Sequence, residues 1–320
     1  MKALLYLLAL GLASPIMPSA ARAALPTTPM QTISDEGQFL QYPAIKVKGL
    51  PDQRLTIWLP PGYDAGSGRY PVLYMHDGHN LFDPATSNFN KAWHADRAMR
   101  FLVNRGDIEP HIIVGIWAPG KDRYRQYLPM PIYAAASPAL RAQMDRLAGG
   151  PIVSETYLNW ITTQLKPWVD RRFRTRPEQQ STAIAGSSMG GLMSCYAFMA
   201  RPQIFGRAAC ISSHWPSADP REVGPTNSDL QALLAHWFRT SLGGPEQRRL
   251  WMDHGTATLD ATYAPYQRAV DAEVTAMGWQ KGKDFESRVY EGAAHDENAW
   301  AARLQDILRW LLNTSATSPR

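Results

Sequence analysis

The chain has 320 residues, 45% hydrophobic and 19% charged, a make-up that fits a soluble globular protein with a sizeable core and excludes low-complexity and repeat architectures. The formal net charge of +5 includes Lys2 and Arg22 of an N-terminal segment expected to be removed. No dense Lys/Arg block follows, which makes nucleic acid a poor candidate partner, and none is expected.

"MKALLYLLALGLASPIMPSAARA" joins Lys2, an apolar run from Ala3 and an A-x-A cleavage pattern at Ala21-Arg22-Ala23, so residues 1–23 read as a secretory signal. Pro15 and Pro18 interrupt the run short of the roughly 20 apolar residues that a membrane span needs. The expectation is an exported protein, periplasmic or secreted, with no membrane anchor after cleavage. Residues 24–40 read as a polar leader, 41–313 as a single domain and 314–320 as a C-terminal tail.

Within the domain, "RLTIWLPPGY" (54–63) predicts a strand stopped by a Pro-Pro-Gly turn. "YPVLYMHDG" (70–78) and "HIIVGIWAPG" (111–120) are short, nearly all-apolar runs ending in polar turns, the pattern of strands buried on both faces. "SETYLNWITTQLKPWVDRRF" (154–173) predicts a helix capped by Ser154, with Leu158, Ile161, Leu165 and Trp168 on one face. "STAIAG" is then a strand and "MGGLMSCYAFMA" a helix. "GRAACISSHW" (206–215), "RRLWMDHGT" (248–256) and "FESRVYEGAAH" (285–295) are three more strands, and "ENAWAARLQDILRWLL" (297–312) is an amphipathic closing helix. Strands alternating with helices imply a doubly wound, mostly parallel α/β sheet with helices on both faces. Residues 217–247 lack a clean pattern and are read as a candidate cap over a cleft. Cys195 and Cys210 form no C-x-x-C pair and make a poor zinc site. A disulfide between helix and strand is one reading; two small, separate buried thiols is the preferred one.

One stretch carries chemistry. In "STAIAGSSMGGL" the pattern G-x-S-x-G is met by Gly186-Ser187-Ser188-Met189-Gly190, which selects Ser188 and leaves Ser187 as the variable position. A predicted strand before it and helix after it give the setting of a nucleophile elbow, which exposes the hydroxyl above the sheet. A serine nucleophile needs a base and an orienting acid, expected in the order Ser, Asp/Glu, His. His295, directly after the last strand, is the preferred base over His254, and His214 is expected to line the pocket. Asp260, beyond the Gly-Thr turn, is the preferred acid over Asp253, which is still in its strand. Two oxyanion donors are expected, the backbone N–H of Met189 and that of His79 in "MHDGHN". His76, Asp77 and His79 also invite a metal reading, but no further cluster at ligand spacing supports it, so neither metal nor cofactor is expected. Trp93 and Trp215 are candidates for an aromatic pocket.

The segments "LPPGY", "YPVLYMHDGHNLFD", "YLNWITTQLKPWVD", "IAGSSMGGL", "GTATLDATYAPYQ" and "EGAAHDENAWAARL" together resemble the "putative esterase" group of α/β-hydrolases, over about residues 40–312. That group includes enterochelin (siderophore) esterases, feruloyl and acetyl-xylan esterases, S-formylglutathione hydrolase and the antigen 85 acyltransferases. The resemblance implies an α/β-hydrolase fold with Ser188 as nucleophile, His295 as base and Asp260 as acid. Some members place the acid nearer the Gly-Thr pair, where this chain has Thr258. "RYRQYLP" (123–129) resembles a family segment R-x-x-E-Y-x-P near the acyl pocket, with Gln126 in place of the glutamate and Arg123 kept as a candidate for binding a carboxylate or hydroxyl. The leading expectation is an exported serine carboxylesterase for a small-molecule or glycan-linked ester, of siderophore trilactone type. The alternatives are a polysaccharide-ester esterase or acyltransferase and, less favoured because all three residues are intact, a non-catalytic binding protein.

Overall fold

The computed structural model describes residues 28–34, 36–224 and 227–313. The signal reading (1–23), the first part of the leader and the tail (314–320) lie outside them. Among the described residues nine strands form one sheet. They are β1 (Met30–Ser34), β2 (Gly37–Ile45), β3 (Gln53–Leu59), β4 (Val72–His76), β5 (Ile112–Ile116), β6 (Thr182–Ser187), β7 (Arg207–Ile211), β8 (Arg249–Gly255) and β9 (Phe285–Tyr290). The spatial order is β1-β2-β3-β5-β4-β6-β7-β8-β9. β1, β2, β3 and β5 pair antiparallel, and every pair from β5 through β4 to β9 is parallel.

The central strands are buried along their whole length because helices cover both faces. On one face Tyr74, Val114, Ile184 and Ala208 pack against the helical segment Ser154–Arg172, the helix Met189–Ala200 and the helix Ala264–Ala276. On the other, Leu73, Met75, Ile113 and Ala209 meet the helices Ala95–Asn104 and Glu297–Leu312. The period of two along each strand thus feeds two separate cores. This is the doubly wound, mostly parallel sheet that the alternation of strands and helices predicts, in the α/β-hydrolase arrangement that the family resemblance implies.

Several local expectations change. The end of the polar leader is not irregular: β1 and the start of β2 form an antiparallel ribbon at the sheet edge. Polar residues alternate along it because edge strands keep one face in solvent. Ser154 is the first helical residue rather than the cap; Val153 holds the cap position without a side-chain bond. The helix it begins passes through one π-helical stretch, Ile161–Leu165. Cys195 and Cys210 are joined in a disulfide with a Cα–Cα separation of 5.9 Å, which corrects the preference for separate thiols. The pairing follows from the helix Met189–Ala200 lying directly on β7.

The proposed cap does not close over the site as a unit. Among its described residues, only the beginning, Ala218 to Arg221, borders the hollow beside Ser188. The helix Ser228–Ser241 instead buries Leu230, Leu234, Trp237 and Phe238 in the core.

Candidate active site

Ser188 stands between β6 and the helix Met189–Ala200 with φ 57° and ψ −125°, a backbone that L-residues adopt only under constraint. The constraint comes from both sides. The Ser188 N–H donates to Ile211 O at 3.0 Å, and Ser188 O accepts from His214 N at 3.1 Å. Glycine is required at Gly186, where an added Cβ would stand 2.7 Å from the Gly190 carbonyl oxygen. Met189 begins the helix, so its N–H is among those with no intrahelical acceptor, and the helix dipole favours negative charge there.

His295 lies in the loop between β9 and the closing helix. Its Nδ1 is 2.5 Å from Asp260 Oδ1. An ionised carboxylate only accepts, so Nδ1 carries the proton and Nε2 is left with its lone pair. Asp260 Oδ2 accepts from Ser212 Oγ and from the Gly255 N–H, each at 2.6 Å. Burial works to raise the Asp260 carboxyl, but the donors from His295, Ser212 and Gly255 outweigh it and hold it below its ordinary value. Gly255 cannot carry a side chain here, since a Cβ would meet Ala293 O at 2.1 Å. Thr258, weighed in the sequence only as an alternative site for the acid, holds the His295 backbone instead: its Oγ1 accepts the His295 N–H at 2.8 Å.

Asp253, the rival acid, points elsewhere. Its carboxylate accepts from Arg303 Nη2 and from Trp251 Nε1, each at 2.7 Å, and none of it is exposed. His254, the rival base, is buried in β8 with Nδ1 against Gly255 O.

Ser188 opens on two hollows. One of about 240 Å³ is lined by Ser188 and His295 together with Asp77, Phe89, Lys91 and Arg123. Phe89 is 85% exposed at a left-handed φ of 61°, an aromatic held out at the rim. The second, more open hollow sets Met189, His214, Leu147 and Leu259 around Ser188. A larger cavity of about 690 Å³ is lined by Arg248 and Arg249 at the start of β8, the opposite end of the parallel strands from Ser188.

The remaining candidates divide. Arg123 faces the first hollow, but its Nε and Nη2 are committed to both oxygens of Asp77 at 2.7 and 2.8 Å. Burial works to raise the Asp77 carboxyl, and this bidentate fork holds it below its ordinary value. His214 lines the second hollow, between Tyr263 OH at 2.7 Å on Nδ1 and Ala218 O at 2.9 Å on Nε2; burial pushes its imidazole down to about 4. His79 lies in the turn Gly78–Asn80 that follows β4, its ring beside Trp117. Trp93 and Trp215 do not line the site. Trp93 packs in the core against Trp300, and Trp215 is fully buried with its Nε1 donating to Gln267 at 2.8 Å. Among the three residues of the metal reading, His76 Nδ1 pairs with Tyr157 OH at 3.0 Å, while Asp77 is held by Arg123. Gln126 is buried outside both hollows and exchanges amide hydrogen bonds with Gln53 at 3.0 and 3.1 Å, a neutral pair where the family segment has a carboxylate.

Ser212 and Arg303 went unread in the sequence. The signal for Arg303 was there: it interrupts the apolar stripe Trp300, Leu304, Ile307 of the closing helix at helical spacing.

Residues 51–311 match the family described as "Putative esterase". Over 165 residues the chain is 31% identical to the uncharacterized protein YbbA of Bacillus subtilis, covering 51% of this chain and 58% of that protein. Over 179 residues it is 25% identical to an endo-1,4-beta-xylanase/feruloyl esterase of Xylanibacter ruminicola, covering 53% of this chain and 21% of that protein. The chain therefore spans less than two thirds of the length of either relative. Among solved structures, the enterobactin esterase from Shigella flexneri is similar in fold, with a TM-score of 0.58 and 17% identity over 92% of this chain and 64% of that one.

Proposed function

Since the chain belongs to the "Putative esterase" family, we propose that it is an ester-hydrolysing serine hydrolase in which Ser188, His295 and Asp260 form the catalytic triad. The observation that carries this reading is the Asp260–His295 hydrogen bond beside a serine held on a strained elbow. His295 Nε2 takes the Ser188 proton as Oγ attacks the ester carbonyl, and Asp260 stabilises the imidazolium that forms. The N–H groups of Met189 and His79 hold the oxyanion of the tetrahedral intermediate. As the C–O bond breaks, His295 returns the proton to the leaving alcohol. Water, deprotonated by His295, then attacks the acyl-enzyme and restores the Ser188 hydroxyl.

The substrate we propose is a siderophore-type trilactone. The similarity in fold to an enterobactin esterase is consistent with this. A second reading, a polysaccharide-linked ester, is favoured by the similarity to the xylanase/feruloyl esterase. Export is part of the proposal, and the buried Cys195–Cys210 disulfide is suited to an oxidising compartment.

The test is hydrolysis of p-nitrophenyl acetate and butyrate by the protein from Ala24 onward. Activity lost in Ser188→Ala and kept in Ser187→Ala is the expected result. Undiminished activity in Ser188→Ala would overturn the triad. Enterobactin-type trilactones compared with feruloyl esters then separate the two substrate readings.

A further inference from the structure

Behind Asp260 lies a second, fully interior layer of polar groups that the mechanism above does not use. Ser212 Oγ donates to Asp260 Oδ2 at 2.6 Å and accepts from Arg303 Nη2 at 2.7 Å. The same Nη2 donates to Asp253 Oδ1 at 2.7 Å. Asp253 in turn accepts the Ser212 N–H at 3.2 Å and Trp251 Nε1 at 2.7 Å. Ser212, Asp253 and Arg303 are 0%, 0% and 3% exposed.

Two features set this layer apart from ordinary ion pairing in a core. Ser212 sits at φ 40°, a left-handed backbone that a serine adopts only when its surroundings impose it. Arg303 keeps Nε and Nη1 buried without a hydrogen-bond acceptor among the described residues, its guanidinium over the Tyr290 ring at 4.8 Å. An interior cation with two unmatched nitrogens is a poor device for stability, because desolvation offsets the attraction.

We propose that Arg303 is a positioning residue: by donating to Ser212 Oγ it turns the Ser212 hydroxyl hydrogen onto Asp260 Oδ2, which fixes Asp260 as an acceptor aimed at His295. A serine hydroxyl has one hydrogen and can otherwise rotate among acceptors. With Arg303 N–H occupying the lone-pair side, the acceptor that the hydroxyl hydrogen meets among the described residues is Asp260 Oδ2. Asp260 Oδ2 then receives two donors and Oδ1 is left for His295 Nδ1–H. This proposal rests on the triad reading. It also gives Asp253 a role, as the counter-ion that keeps Arg303 in place.

The test compares pH profiles of kcat/KM for p-nitrophenyl acetate among the wild type, Ser212→Ala, Arg303→Lys and the paired variant Arg303→Met/Asp253→Asn. The paired variant removes cation and anion together and leaves no lone buried charge. Its kcat is expected to fall about tenfold to a hundredfold with KM within about twofold, the scale of a misaligned catalytic group. Losing a donor to the ionised carboxylate raises the proton affinity of the Asp260–His295 pair, so the ascending limb of the profile moves to higher pH. The other ionisable groups facing the pair are Asp296 and Glu297 beside it, Lys91, Asp77 and Arg123 across the hollow, and His214 and Tyr263. None of these is altered.

Arg303→Lys restores part of the rate, and adding Ser212→Ala to the paired variant costs little more, because both act through one hydroxyl. A purely structural role would lower the folded fraction and leave the limb in place. The proposal is overturned if the folded paired variant keeps its kcat and its limb, or if the Ser212 and Arg303 effects add in full. If the paired variant does not fold, Ser212→Ala carries the same test alone. Ser188→Ala runs beside them: activity persisting there overturns the triad itself, whereas its loss together with an unchanged paired variant overturns only the positioning role.

Discussion

Replacing Asp260 by asparagine changes one oxygen to an amide nitrogen, and the surroundings decide which way the amide faces. Oδ2 accepts from two donors, Ser212 Oγ and the Gly255 N–H, both at 2.6 Å. An NH₂ group cannot occupy that position without opposing donors to donors. The carbonyl of the introduced amide therefore takes the Oδ2 site, and its NH₂ faces His295 Nδ1. A neutral imidazole answers by accepting on Nδ1 and moving its proton to Nε2, the nitrogen that has to receive the Ser188 proton. The side chain is present but in the wrong tautomer. Loss of the base by this route costs about 10⁴ in kcat, which at 1.36 kcal/mol per tenfold is about 5.4 kcal/mol of transition-state stabilisation. The assay is steady-state hydrolysis of p-nitrophenyl acetate, with circular dichroism to establish that the Asp260→Asn protein is folded. An Asp260→Asn enzyme retaining more than a tenth of wild-type kcat, beside a folded but inactive Asp253→Asn, would refute the reasoning and transfer the acid role to Asp253.

Three further outcomes follow from the same geometry. Arg123→Met leaves the buried Asp77 carboxylate unpaired and is expected to cost about 2–3 kcal/mol in urea unfolding, less than a fully interior pair because Arg123 is partly exposed. The pH dependence changes sign with it. In the wild type the depressed Asp77 carboxyl contributes stability above its unfolded value that is lost as acid is added. In the variant burial is opposed only by the nearby His79 and His76, so the carboxyl is expected to rise and stability to be lost as pH rises, read as urea midpoints at pH 4 and pH 7. Gly255→Ala drives a Cβ into Ala293 O at 2.1 Å and displaces the loop that carries His295, so kcat/KM is expected to fall by about 10² together with a lower thermal midpoint. Intact-mass measurement of protein alkylated under denaturing conditions, with and without reductant, is expected to show no label without reductant and two labels with it; two labels without reductant would contradict the Cys195–Cys210 bond.

The parts of this architecture that rest on local pattern were legible in the sequence. β4, β5 and β6 announce themselves because strands covered on both faces have to be apolar throughout. Ser188 is legible because the elbow excludes side chains at positions fixed relative to it. β1 and β2 were not: an edge ribbon alternates polar and apolar residues, and "MQTIS" and "GQFLQ" read as loop when no partner strand is known. Trp93 and Trp215 misled for a related reason, since a tryptophan near a motif packs behind the site as readily as it lines it. Asp260 was separable from Asp253 by its place beyond the Gly-Thr turn, but the long-range side-chain contacts that distinguish them join residues 35 to 50 positions apart. No local window contains Ser212 and Arg303 together.

The Cys195–Cys210 bond has a consequence for how the site opens. It ties the helix that begins at Met189 to β7, and β7 runs directly into Ser212. Ser188 and Ser212, one of the groups that hold Asp260, therefore hang from one covalently closed frame. Partial opening of the molecule cannot draw the helix away from β7 while the bond is intact, so both are expected to exchange their amide hydrogens as a single late unit. On the esterase reading proposed above, Ser188 would then keep its place on the sheet through partial opening of the rest of the molecule.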